Sequence, residues 1–193
     1  GRMQVFVFGR ADLPAASLDE LLPWIRSRPG QARCGSAGGI TRLAAEQLQL
    51  RAGVPIIIAE YKGTPPALAD LAAGHLDLAI GLAGSSAALV AAGRIKAIGS
   101  GSRRESSPGA TTLAEFDLEG WYGVFGPAGV QADVVARLNR ELNAVLLEPE
   151  MQQRLRELEV QPAGGPPSQM AALLREDTER FRRIAAAAGL KPE

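Results

Sequence analysis

Ser36 and Thr41 bracket a run of small residues in "CGSAGGIT", residues 34–41, which leads straight into a helical pattern. Such a turn gathers main-chain N–H groups and the positive end of a helix dipole at one point, so it can hold a carboxylate or phosphate without a charged side chain. Ser36 and Thr41 add two hydroxyls. Gly35, Gly38 and Gly39 suit a plain tight strand-to-helix connection equally well, and spacing alone leaves both readings standing. The run matches neither the phosphate loop, which ends Gly-Lys-Ser/Thr, nor the dinucleotide fingerprint with its spaced glycines. A nucleophile elbow is poorly supported too, because Cys34 stands where its first glycine belongs.

"EYKG", residues 60–63, is the second suggestive stretch. It follows a strand of three isoleucines and opens another helix, which puts Tyr61 and Lys62 at the carboxyl edge of a sheet, where open α/β sheets bind ligands. A phenol and an ammonium there suit a carboxylate; a packed tyrosine and a surface lysine are the alternative. The lone His75 lies at a helix-to-strand turn and reads as a solvated residue rather than a base. Cys34 ends an apolar strand pattern and reads as packing rather than a reactive thiol. Glu60 is the only acid near the proposed rim, and no paired carboxylates are visible, so the chain reads as a binder and not an enzyme.

Composition narrows the classes further. One cysteine and one histidine rule out an intrachain disulfide and a Cys/His zinc site, and no motif calls for a cofactor. Lys plus Arg and Asp plus Glu are both 21, so no net field favours nucleic acid or an anionic membrane. The basic loop over 99–107 reads as solvated, and the mixed charges of "LLREDTERFRRIAAAAG" read as an exposed helix face. No run of about 18 apolar residues occurs, and no leader peptide is recognisable.

The elements that must position these residues alternate at short intervals. Strand patterns fall at 3–9, 32–36, 54–60, 76–81 and 94–100, with helices from Ser17, from about Ile40, from Thr64 and near Ser86. The alternation predicts α/β layering around a largely parallel sheet. Ser17 with Glu20 forms a capping box, Thr64 with Pro65 supplies a cap and first-turn proline, and Pro23 predicts a kink or early stop. The second half differs: after a strand and turn at 121–129 come helices over 132–147, 150–159 and 168–188. Val134, Val135, Leu138, Leu142, Val145 and Leu146 make one apolar stripe on the first of these. The loop at 161–168 carries three prolines and two glycines.

An ordered set of pieces carries a resemblance: "LPAASLDELLPWIRSRPGQARCGSAGG", "EYKGTPPALADLAAGHLDLAIG", "LVAAGRIKAIG", "WYGVFGPAGVQADVVARLNRELNAVL" and "PEMQQRLRELEVQPAGGPPSQMAALL". In this order the chain resembles the Bug-type substrate receptors of tripartite tricarboxylate transporters. The resemblance implies a type II periplasmic-binding-protein fold, with residues 1–120 as a complete second α/β lobe. Residues 121–193 would then be a C-terminal strand and helices belonging to an incomplete first lobe. It implies a periplasmic solute-binding protein that captures a small carboxylate for a membrane permease, with no chemistry performed. By position, Ser36, Ala37, Gly38, Gly39, Ile40 and Thr41 correspond to the loop that contacts the ligand carboxylate, and Tyr61 and Lys62 stand at the family's "YKG". The glycine loop is slightly shorter than the family form, Arg42 replaces a frequent histidine, and the segment over 103–120 is compressed.

With most of the first lobe lacking, the stripe beginning at Val134 faces water unless its helices repack on the sheet of residues 3–100 or meet a second chain. The expected partners are a small carboxylate, a permease, and either a second copy or a complementing first-lobe segment. An interaction module that keeps the receptor fold, oligomerises through its C-terminal helices and has no transport role is the alternative reading.

Overall fold

The protein is described by a computed structural model covering residues 1–100, 111–112, 119–158 and 160–189. Most of the expected basic loop and of the compressed segment lies outside these residues.

Strand β1 (Arg2–Arg10) organises the molecule. Its stretch Val5–Phe8 is buried on both faces: Val5 and Val7 enter one core and Phe6 and Phe8 the other. That is why "VFVF" reads as an unbroken apolar run rather than an alternation. The rings of Phe6 and Phe8 stack with centroids 5.7 Å apart.

Around β1 the chain adds β2 (Arg33–Ser36), β3 (Ile57–Glu60), β4 (Leu78–Leu82), β5 (Ile95–Ser100) and β6 (Thr111–Thr112), in the order β3-β2-β4-β1-β5-β6. Strands β2, β3 and β4 are parallel, as are β5 and β6, but β1 runs antiparallel to both its neighbours. The expected largely parallel sheet is therefore present with one reversed strand at its centre. Helices α1 (Leu18–Arg26) and α2 (Gly39–Ala52) cover the face that holds Val5 and Val7. Helix α3 (Thr64–Ala72) covers the other face, and Leu89 of the short α4 (Ala87–Ala91) packs beside it.

Local chemistry explains the helix ends. Ser17 caps α1 by accepting the Glu20 N–H, and the Glu20 carboxylate accepts the Ala16 N–H at 2.7 Å. Helix α1 runs three residues past Pro23 before it stops. The cap of α3 is Gly63 rather than Thr64: Gly63 adopts φ +110°, and Thr64 is the first helical residue. At the edge opposite the site, buried Asp77 accepts the Arg33 N–H at 2.9 Å and pairs with Arg10 at 3.3 Å, tying β1, β2 and β4 together.

Residues Arg2–Gln4 of β1 leave this sheet and pair antiparallel with β7 (Glu119–Trp121) and β8 (Val160–Gln161). Helices α5 (Ala132–Val145), α6 (Pro149–Glu157) and α7 (Pro167–Ala187) complete this end. Only α7 reaches the larger core, where Phe181 and Ile184 pack and the helix meets α2. Buried Asp177 pins it, accepting the Trp121 indole N–H at 2.7 Å and pairing with Arg180 at 2.7 Å. Helices α5 and α6 bury no residue fully. Repacking of α5 on the larger sheet, one of the two outcomes expected from sequence, does not occur: Val134, Val135, Leu138 and Leu142 all stay exposed.

Candidate functional site

Parallel pairing sets Ser36 of β2 beside Glu60 of β3, and the Tyr61 N–H donates to the Ser36 carbonyl at 2.8 Å. The two stretches singled out in the sequence thus meet at the carboxyl edge of the parallel strands.

Within the first stretch the polar groups form a knot. The Thr41 hydroxyl accepts the Ala37 N–H and donates to the Gly38 carbonyl, both at 2.8 Å. With that proton committed, Ser36 is the donor in the 3.3 Å pair of hydroxyls, and its oxygen accepts the Gly38 N–H at 3.3 Å. Both side chains are buried, so they brace the loop from inside. Gly38 at φ +75°, ψ −177° and Gly39 at φ +51° make the fold-back, two successive conformations that L side chains resist. The Thr41 and Arg42 N–H groups turn back to the Gly38 carbonyl. The N–H groups of Gly39 and Ile40 find no acceptor among the described residues. Gly39 is exposed and Ile40 half-buried, and both donors belong to the first turn of α2, where the helix dipole adds positive potential.

Charge around the mouth is arranged by Arg42. Its Nη1 donates to Glu60 at 2.9 Å, its Nε to Glu46 at 2.8 Å and its Nη2 to Glu46 at 2.5 Å. The Glu60 bond is the main reason the guanidinium pKa rises above its usual value. Glu46 is buried, whereas the Glu60 side chain is 44% exposed. Glu60 Oε2 lies 4.0 Å from where a Cβ on Gly38 would stand. The three side chains sum to one negative charge, with the Arg42 guanidinium offsetting one of the two carboxylates beside the mouth. Sequence reading noticed Arg42 and Glu60 separately; their pairing across 18 residues follows from strand register. The Arg42–Glu46 pair, by contrast, has the i,i+4 spacing of a helical ion pair.

Tyr61 packs against the second core cluster, and its hydroxyl donates to Asp70 at 2.7 Å. That bond raises the phenol pKa and, from the other side, holds the Asp70 carboxyl below its ordinary value. Lys62 is exposed and makes no ion pair among the described residues. His75 is largely exposed and lies 3.4 Å from Asp70. Cys34 is fully buried, and burial pushes its thiol up to about 12.

An apolar recess of about 430 Å3 is lined by Met3, Gln4, Leu82, Tyr122, Leu158 and Val160 among others. Ile40 and Met3 both approach Gly120: a Cβ there would stand 3.8 Å from Ile40 Cδ1 and 3.0 Å from Met3 Cε. The turn after β4 approaches the turn after α6 so closely that a Cβ on Gly84 would stand 2.7 Å from the Leu158 carbonyl oxygen. Among the described residues no group of three His, Cys, Asp or Glu is placed to hold a metal. No described helix is long and apolar enough to cross a membrane.

Residues 2–190 match the family described as the tripartite tricarboxylate transporter family receptor. The chain belongs to this receptor family. It is 35% identical over 184 residues to the UPF0065 protein in the tcbD-tcbE intergenic region of Pseudomonas sp. (strain P51), covering 90% of this chain and 55% of that relative. In structure it is similar to R. palustris Rpa4515 with adipate, at a TM-score of 0.85 and 28% identity, covering 100% of this chain and 67% of that one. It shares the fold of MatC (Rpa3494) from Rhodopseudomonas palustris with bound malate, at a TM-score of 0.80 and 23% identity, covering 95% of this chain and 66% of that one. The fold is that of type II periplasmic binding proteins, and the receptor-family chain spans little more than half the length of its Pseudomonas relative.

Proposed function

We propose that this receptor-family chain captures a small organic carboxylate in the periplasm and presents it to a membrane permease of the tripartite tricarboxylate type. One carboxylate oxygen accepts the Gly39 N–H and the other the Ile40 N–H, while Ser36, Ala37, Gly38 and Thr41 keep the loop in shape. The body of the acid lies over Ile40, and Tyr61 and Lys62 flank the entrance. The observation that carries this reading is the pair of N–H groups at the start of α2 left without an acceptor among the described residues, in a loop whose Ser36 and Thr41 hydroxyls and Ala37 and Gly38 N–H groups are bonded from within. Adipate and malate, bound by the two solved relatives, set the class of acid to try first.

Calorimetric titration with adipate, malate, hexanoate and benzoate tests it. At least one acid should release heat, and Gly38→Ala should weaken that acid by about 10-fold or more, because the loop conformation costs an L residue roughly 1–3 kcal/mol. Absence of heat with all four, from protein folded by circular dichroism, overturns the reading.

A further inference from the structure

Glu60 ends β3 beside the mouth of α2 and is the exposed acid of the Arg42 cluster. Its Oε1 accepts the Arg42 Nη1 proton at 2.9 Å, while Oε2 has no donor among the described residues. Arg42 is held from the other side as well: Nε and Nη2 both donate to Glu46, whose side chain is 4% exposed against 44% for Glu60. One guanidinium between two carboxylates leaves one negative charge in the cluster, and the oxygen open to solvent is Glu60 Oε2. That oxygen lies 4.0 Å from where a Cβ on Gly38 would stand, and Gly38 has ψ −177°. It is therefore within about 7 Å of the Gly39 nitrogen, and Gly38 puts no side chain between the two.

We infer that Glu60 is a specificity-determining residue, which selects acids carrying an ammonium on the carbon next to the carboxylate by accepting that ammonium's proton at Oε2. The inference rests on the carboxylate reading of the Gly39 and Ile40 N–H groups. With the acid's carboxylate on Gly39, three short steps lead to Glu60: the N–H···O bond, the distance from carboxylate oxygen to neighbouring ammonium, and the ammonium–carboxylate bond. Together they reach about 8 Å, enough for the gap. A plain acid brings Oε2 no proton, since an ionised carboxylate only accepts. A hydroxyl on the same carbon reaches the same oxygen as a neutral donor, and a bond between two charged groups is the stronger of the two. The ammonium also offsets the negative charge left in the cluster, which a hydroxyl leaves in place.

Calorimetric titration of the 193-residue protein with two series of acids tests this: hexanoate, 2-hydroxyhexanoate and 2-aminohexanoate, then adipate, 2-hydroxyadipate and 2-aminoadipate. In whichever series binds, the amino acid should bind about 10-fold or more tighter than the plain acid, with the hydroxy acid between them. Glu60→Gln, which keeps an oxygen for Arg42, should bring that ratio to within about 2-fold of one with an unchanged far-ultraviolet spectrum. A plain acid that binds as tightly as its amino counterpart overturns the role of Glu60 and leaves the carboxylate reading standing. An amino preference that survives Glu60→Gln does the same. Loss of plain and amino acids alike in Glu60→Gln also overturns the role, since Glu60 would then shape the loop rather than select. No heat from any of the six acids, with folded protein, overturns the carboxylate reading and this inference with it.

Discussion

The larger sheet and the C-terminal region are built from the same kinds of element and end up in opposite states. Between residues 5 and 100, helices lie on both faces of the sheet, and Leu21, Ile25, Leu48, Leu68, Leu71 and Leu78 are completely buried. Between residues 119 and 189, strands of two or three residues carry helices whose apolar sides look outward, and α7 alone is sealed against a core. An apolar stripe forms a helix in either setting, because periodicity decides the local conformation. Whether the stripe contributes stability depends on what lies across from it.

The largest effect expected from this contrast comes from truncating one leucine in each region. Leu48 is completely buried and Leu138 is 54% exposed, so Leu48→Ala should cost about 3–5 kcal/mol and Leu138→Ala less than about 0.5 kcal/mol. Urea unfolding at concentrations low enough to keep chains single measures both; equal losses would mean that α5 is packed in solution. Next comes the one C-terminal helix that does reach the core. Asp177→Ala leaves the Trp121 indole and the Arg180 guanidinium without their shared carboxylate and should cost about 2–4 kcal/mol. Trp121 emission should shift to the red as α7 loosens; an unshifted spectrum would show that Phe181 and Ile184 hold the helix unaided. The smallest effect is a readout of the closed region without mutation. Cys34, with its thiol pushed up to about 12 by burial, should stay unreactive toward a disulfide reagent near pH 8 and react once the larger sheet unfolds in urea. Reaction of the native protein would mean that β2 opens far more readily than its burial implies.

Much of the closed region was legible in sequence because its signals are local. Two-sided apolar runs gave the strands, Ser17 with Glu20 gave the start of α1, and the glycines at 38 and 39 gave the turn into α2. The reversed direction of β1 was not legible, since period-two burial is the same whichever way a strand runs. At α3 the threonine–proline signal pointed one residue too late: the turn that joins β3 to the helix needs φ +110° at its cap, and Gly63 meets that requirement. The place of the two stretches at the carboxyl edge of the sheet was legible, and the pattern of their bonds was not. Thr41 and Ser36 were read as donors to a ligand, whereas their hydroxyls are bonded inside the loop, and the Gly39 and Ile40 N–H groups are the ones left without an acceptor among the described residues. Tyr61 meets Asp70 through the fold of α3 over β3, and Arg42 meets Glu60 through strand register. Neither contact has a signature in linear spacing.

Strand β1 changes allegiance between Gln4 and Val5. Arg2, Met3 and Gln4 find their ladder partners in β7 and β8, and every residue from Val5 to Arg10 finds its partners in β4 or β5. A chain shortened to begin at Val5 would keep the larger sheet's bonding to β1 whole and strip the smaller one of its central strand. Within β1 the change of partners falls at a single peptide unit, and α7, packed on the larger core through Phe181 and Ile184, ties the two halves together a second time.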